Sequence, residues 1–180
     1  MKLRVTDKFW ILIVLTVLAG CVRPQEKLQK DIEAAEKEMS MSADAQPSFD
    51  RADSLIKLYL NYSDQYKDDT LSPVYMFKAG DLCMKTGRYQ QAIDLFGYIQ
   101  RYKGFRHLGD ALFLRGFIYD SQLGDTASAR KCYQEFLAAY PGHEFADDAH
   151  HLIENLDLSP DQLIQKLQNG QVADSTLSSK

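Results

Sequence analysis

The 180-residue sequence lacks the features that would assign it to several common functional classes. No segment is dense in lysine and arginine, and 25 acidic residues outnumber 21 basic ones, for a net charge of −4. Nucleic acids select dense basic surfaces, so this composition argues against a nucleic-acid partner. The chain also has no nucleophile elbow, phosphate-binding glycine loop or HExxH motif. We therefore predict that it is not an enzyme and binds no cofactor.

Long apolar runs are also scarce, and the clearest one lies near the N-terminus at residues 9–18. It is too short for a membrane-spanning helix, which needs about 20 residues. Three basic residues precede it, namely Lys2, Arg4 and Lys8, and small residues follow it. A basic start, a short apolar stretch and a small-residue end are typical of an export signal.

The end of this segment, Leu18-Ala19-Gly20-Cys21, resembles the lipobox of bacterial lipoproteins. The resemblance implies that residues 1–20 are a cleaved signal peptide. It also implies that Cys21 becomes the first mature residue and carries diacylglycerol and acyl chains such as palmitate. The alternative is an uncleaved membrane anchor with an incidental cysteine.

The residues after Cys21 indicate which membrane would hold the protein. Val22 stands where, in some bacteria, an acidic residue signals retention in the inner membrane. No acidic run of the kind that directs some lipoproteins to the cell surface follows. We therefore expect an outer-membrane lipoprotein that faces the periplasm. Loss of residues 1–20 removes three basic residues and one acidic residue, so the net charge of −4 becomes −6.

Cysteine is rare, and only Cys83 and Cys132 remain beyond the lipobox. A disulfide between them would be chemically possible in an oxidising compartment. Both cysteines lie inside helical patterns among apolar neighbours. We therefore predict buried free thiols.

The segment 73–141 repeats itself. Gly80 and Gly116 are 36 positions apart, and Ala92 and Ala129 are 37 apart. Self-similarity at this period is typical of a helical solenoid. A glycine inside a helix costs about 1 kcal/mol relative to alanine. We therefore predict that another helix packs closely at each glycine, with Gly80 near Ala92 and Gly116 near Ala129.

This pattern resembles the tetratricopeptide repeat, whose signature runs from glycine through aromatic residues and alanine to proline. The second unit matches the signature at Gly116, Tyr119, Ala129, Tyr133 and Pro141. The first unit matches it at Gly80, Tyr89, Ala92 and Phe96, but has Cys83 for an aromatic residue and Gly104 for proline. The resemblance implies an all-α fold, a right-handed superhelix of antiparallel helix hairpins.

The segment 140–149 is similar to the links between repeats in two kinds of envelope protein. One kind is the BamD-type lipoproteins, which scaffold the assembly of outer-membrane barrels. The other is the periplasmic tetratricopeptide protein of the Tol–Pal system. The resemblance implies a role in cell-envelope assembly.

The predicted organisation is a signal peptide (1–20), a lipidated tether (21–26), a helical repeat domain (27–169) and a disordered tail (170–180). The repeat domain contains a degenerate unit (27–67), two well-marked units (73–104 and 107–141) and closing helices (144–169). Each well-marked unit divides into two helices, at Gly87 and at Gly124. Helix starts are predicted at Ser48 and at Ser72-Pro73, with each serine as the cap and Pro73 in the first turn. A further start is predicted at the capping box Ser159-Pro160-Asp161-Gln162.

In a tetratricopeptide stack, the first helix of each unit lines a concave surface on which peptides or partner helices bind. Helical phase places seven candidate partner-binding residues there: Phe77, Asp81, Met84, Lys85, Phe113, Phe117 and Asp120. Phenylalanines flanked by charges are typical of interfaces. For Phe113 and Phe117 a second interpretation stays open, namely burial against a neighbouring repeat. Four other aromatic residues fall on packing positions and are predicted to be core: Phe96, Tyr119, Tyr133 and Phe136.

One cluster resembles a metal site: His143, Asp147, His150 and His151. Residues at this spacing can share a helix face and offer ligands to zinc. A turn between repeats followed by acidic residues in a helix's first turn explains the same pattern more simply. We therefore predict no metal.

The sequence thus predicts a non-catalytic scaffold or adaptor that holds a protein partner at the cell envelope. The alternative is a carbohydrate-binding lipoprotein of a glycan-uptake system. Such proteins carry tryptophan-rich loops, whereas the one tryptophan here, Trp10, lies in the predicted signal peptide.

Overall fold

A computed structural model describes residues 23–41, 49–159 and 161–166 of the chain. Several predicted features lie outside the described residues: the signal peptide at 1–20, the lipidation site Cys21, the cap Ser48, and the tail at 170–180. Within the described ranges all regular structure is helical, so the all-α prediction is confirmed. The helices are α1 (Pro24–Met41), α2 (Phe49–Gln65), α3 (Ser72–Lys85), α4 (Tyr89–Ile99), α5 (Leu108–Ser121), α6 (Thr126–Ala139) and α7 (Ala146–Asn155). Residues 161–166 form a further short helical segment.

Each helix packs against the next one along the chain, which produces a stack of helical hairpins. Individual side chains also connect an odd-numbered helix to the next odd-numbered helix or to the link that precedes it. Lys78 of α3 contacts Glu36 of α1, with 2.8 Å between Nζ and Oε1. Phe113 of α5 stacks on Phe145, which precedes α7, with 4.8 Å between ring centroids. We call the surface formed by α1, α3, α5 and α7 the odd-helix face; it is the surface that the repeat resemblance predicts to be concave.

The two repeat glycines lie where paired helices approach most closely. A Cβ atom at Gly80 would lie 2.7 Å from the Phe96 ring, and one at Gly116 would lie 2.7 Å from the Tyr133 ring. Ala92 and Ala129 are fully buried on the facing helices, so the predicted close packing is confirmed. The atoms nearest each glycine belong to the aromatic ring one turn beyond the alanine, because the ring reaches across into the space that a Cβ would fill.

The hydrophobic core runs along the stack between the paired helices. Three of the four predicted core aromatics are fully buried, namely Phe96, Tyr133 and Phe136. The fourth, Tyr119, is half-buried and packs against both the α1–α5 part and the α5–α7 part of the core. The repeat pattern therefore identified residues that hold the two helices of each hairpin together.

The turns inside the hairpins depend on glycine. Gly87 has φ +76° and Gly124 has φ +65°, in the left-handed region that other residues rarely adopt. Gly87 follows the end of α3, and Gly124 follows the end of α5. The prediction that each unit divides at these two glycines is confirmed.

The predicted helix starts have mixed outcomes. At the closing segment, the Ser159 backbone N–H donates to Gln162 Oε1 over 2.8 Å, and the Gln162 N–H donates to Ser159 Oγ over 3.3 Å. This reciprocal pair confirms the capping box. At α3 the cap position is Leu71, and the buried Ser72 hydroxyl donates to the Tyr66 carbonyl instead of accepting from an amide. The helix therefore begins at Ser72-Pro73 as predicted, whereas the prediction of Ser72 as its cap is wrong, because the Ser72 side chain turns inward to the preceding link.

Both remaining cysteines are buried free thiols, as predicted. Burial raises the pKa of Cys83 to about 11 and also raises the pKa of Cys132. Thiols with so little thiolate character at neutral pH are poor nucleophiles. They therefore contribute to packing.

Across the part of the chain that the structure describes, no helix is both long enough and apolar enough to cross a membrane.

Candidate functional site

The α3 part of the odd-helix face carries four of the predicted partner-binding residues. Asp81 and Lys85 form an ion pair one turn apart, with 2.7 Å between Oδ2 and Nζ. Lys85 is exposed, whereas Met84 is half-buried and packs against the core. The α3 surface therefore presents a charged pair beside a partly covered apolar side chain.

Phe77 lies one turn before Asp81 on α3 and is half-buried. The link between α4 and α5 covers part of its ring, because Phe105 and His107 both contact it, with centroid distances of 6.2 and 5.3 Å. On its other side the ring meets Phe96 of α4 at 5.5 Å. Phe77 therefore joins two units and leaves only part of its ring to a partner.

Phe113 occupies the position equivalent to Phe77 in the next unit but is buried, with 8% of its surface exposed. Its ring contacts Tyr133 and Phe136 of α6 and stacks on Phe145. The prediction that Phe113 meets a partner is therefore corrected in favour of its second interpretation, burial against the neighbouring repeat. The physical reason is that the link after α6 brings Phe145 directly over the ring.

Phe117 lies one turn further along α5, beyond the reach of that link, and is 37% exposed. Asp120 nearby is half-buried, and burial raises the pKa of its carboxyl above the ordinary value. The α5 part of the odd-helix face thus offers one exposed aromatic ring beside a partly desolvated acid. Of the two phenylalanines that were predicted together, only Phe117 is accessible.

The sequence did not predict a histidine–carboxylate cluster that forms where the α4–α5 link meets the α6–α7 link. Asp110 Oδ2 lies 2.7 Å from His107 Nδ1, and Asp110 Oδ1 lies 3.6 Å from His143 Nε2. Gly109 makes room for this arrangement, because a Cβ there would lie 2.8 Å from the His143 ring. The available signal was that His107 and His143 are 36 positions apart, the same spacing as Gly80 and Gly116.

A second cluster that the sequence did not predict joins α1, α2 and α3. Glu36 Oε1 accepts hydrogen bonds from the Tyr59 hydroxyl at 2.7 Å and from Lys78 Nζ at 2.8 Å. Burial, together with the Glu36 charge, raises the pKa of Tyr59. The cluster fixes the first hairpin to the second at the odd-helix face. No local sequence pattern predicts this cluster, because its members lie far apart in sequence.

The four residues of the possible metal site do not come together. His143 points to Asp110, while Asp147, His150 and His151 are exposed on α7. In the described ranges no group of three or more metal-ligating side chains is placed to hold an ion. The exposed acids follow the start of α7, where they meet the positive end of the helix dipole.

The geometry of α5 and α6 agrees with a family comparison. Residues 110–143 match the family model of the tetratricopeptide repeat. The match spans most of α5, all of α6 and the link up to His143. The chain therefore contains a tetratricopeptide repeat, a module typical of scaffolds for protein–protein interaction. No curated protein matches the sequence of this chain.

Proposed function

We propose that this protein is a non-catalytic scaffold that binds a protein partner on the odd-helix face. In this proposal lipidated Cys21 anchors it to the outer membrane, and the helical stack faces the periplasm. The tetratricopeptide repeat at 110–143 supports the scaffold role. The lipobox resemblance at residues 18–21 supports the anchor.

The observation that carries the binding site is the ring of Phe117, which is 37% exposed on the odd-helix face. The Asp81–Lys85 pair lies on α3 of the same face, and the half-buried Asp120 follows on α5. Aromatic rings surrounded by polar groups are the usual anchors of protein interfaces. The similarity of residues 140–149 to envelope-assembly proteins favours a partner in that process.

Partner capture tests the binding site directly. We expect Phe117→Ala to lower the yield of crosslinked partner from membranes roughly tenfold, because truncation of an interface anchor costs about 1–2 kcal/mol. The measurement is quantitative mass spectrometry of proteins crosslinked to the tagged chain.

Leu123→Ala is the matched control, because Leu123 is 46% exposed but lies in the turn between α5 and α6. This variant should leave the yield unchanged. Equal yields from both variants, or recovery of polysaccharide in place of a protein, would contradict the proposal. Binding of glycans by the purified chain would favour the carbohydrate alternative.

The anchor has its own test. We expect the intact mass of the membrane-extracted protein to equal residues 21–180 plus diacylglycerol and acyl chains. Cys21→Ser should abolish the added lipid mass, because serine has no thiol to alkylate. A full-length chain with an unmodified Cys21 would instead identify residues 1–20 as an uncleaved anchor.

A further inference from the structure

The link between α4 and α5, residues 100–107, carries three exposed basic side chains. It contains Arg101, Lys103 and Arg106 and no acidic residue, and all three cations are exposed. Within the described residues none of the three forms an ion pair. Arg101 lies over the Tyr98 ring at 3.5 Å, and Arg106 Nε donates to His107 Nε2 at 2.8 Å. Neither contact involves a carboxylate. We call residues 100–107 the basic link.

The basic link lies at the same edge of the stack as the start of α1. Gln25, in the first turn of α1, donates to Asp69 Oδ2 at 2.8 Å. Asp69 in turn lines a surface cavity of about 490 Å³ together with Lys103 and Arg106 of the basic link. The start of α1, the α2–α3 link and the basic link therefore form one continuous edge. We call it the anchor edge.

The chain between Cys21 and α1 is so short that the predicted lipid must lie close to this edge. Only Val22 separates Cys21 from Arg23, the first described residue. Two residues of chain span at most roughly 7 Å, so a lipid on Cys21 must hold the anchor edge close to the bilayer. This orientation rests on the lipid anchor proposed above.

Two of the acidic residues near the anchor edge, Asp64 and Asp69, have polar partners. Asp69 accepts a second hydrogen bond, from the Leu71 backbone N–H at 2.8 Å. Asp64 pairs with Lys67 at 3.1 Å, which leaves Asp68 as the exposed acid of that link. More acids lie beyond the basic link, away from α1: Glu144, Asp147 and Asp148. The anchor edge also carries the exposed acids Glu26 and Asp68, and Asp68 lines the same cavity as Lys103 and Arg106. Across residues 23–27, 66–71 and 100–107, however, six basic residues stand against three acidic ones, so the anchor edge has an excess of positive charge.

We propose that the basic link binds the headgroups of anionic phospholipids in the membrane that carries the lipid anchor. Each lysine or arginine near an anionic surface strengthens membrane binding roughly fivefold. Tyrosine side chains suit the headgroup region, and Tyr102 lies in the middle of the link. The contact orients the stack, so that the odd-helix face is presented at a fixed angle to the bilayer.

Vesicle sedimentation with the chain from residue 22 onward tests this proposal without the lipid anchor. All of the described helices, and the core they bury, begin at or after Pro24, so this chain retains them. We expect it to bind vesicles of phosphatidylglycerol and phosphatidylethanolamine but not vesicles of phosphatidylcholine. Added salt should weaken the binding. Arg101→Gln with Lys103→Gln should lower the partition coefficient roughly 25-fold.

Lys37→Gln with Lys131→Gln is the matched control, because it removes the same charge from exposed positions on α1 and α6 away from the anchor edge. It should change the partition coefficient less than about twofold. Equal losses from both pairs, or no binding to anionic vesicles, would overturn the proposal, as would recovery of an acidic protein on the basic link in membranes. The outcome is separable from the proposed function, since vesicle binding needs neither lipid on Cys21 nor Phe117.

Discussion

Replacing Phe113 with alanine should lower the free energy of unfolding by about 3–5 kcal/mol. The ring is 8% exposed and contacts Tyr133, Phe136 and Phe145, so its removal leaves a cavity where three elements meet. Phe117→Ala should cost about 1 kcal/mol or less, because that ring is 37% exposed. Denaturant unfolding at constant m-value measures both changes.

The same pair of variants separates core from interface. Phe117→Ala should reduce partner capture while the unfolding midpoint stays close to that of the unmodified chain. At a temperature where it remains folded, Phe113→Ala should retain capture. A small loss of stability for Phe113→Ala would mean that its ring is accessible, and Phe113 would then return to the set of candidate partner-binding residues.

Replacing Gly116 with valine should destabilise the fold by about 3 kcal/mol. A Cβ at this position would lie 2.7 Å from Cδ1 and Cε1 of Tyr133. The Tyr133 ring is fully buried and cannot move aside without disturbing α5–α6 packing. A β-branched side chain also regains little of the helix propensity that replacing glycine with alanine would supply. Thermal and denaturant unfolding measure the loss.

Gly142→Val is the control, because a Cβ at Gly142 would meet nothing within 4 Å and the residue does not have a positive φ. We expect this variant to change stability by about 0.5 kcal/mol or less. Tyr133→Leu in the Gly116→Val background should cost less than Tyr133→Leu alone, since a smaller side chain relieves the clash. Equal effects of Gly116→Val and Gly142→Val would show that α5 and α6 do not approach closely at Gly116.

The sequence by itself determined the features that depend on local pattern. Gly80 and Gly116 marked the close approach of paired helices, because an interior glycine costs about 1 kcal/mol relative to alanine and close packing of a neighbouring helix offsets that cost. Gly87 and Gly124 marked the turns, because their backbone conformation excludes most other residues. The capping box at Ser159 and Gln162 was equally predictable, since both of its hydrogen bonds close within one turn.

Only the tertiary structure decided which residues of the odd-helix face are accessible. Phe113 and Phe117 lie one turn apart on the same stripe of α5, so helical periodicity treats them alike. The link after α6 covers the first and stops short of the second. In the same way, Asp110 between two histidines and Glu36 beneath Lys78 depend on segments brought together from distant parts of the chain. Periodicity fixes the side of a helix on which a residue lies, whereas the path of the other segments determines whether that side stays open.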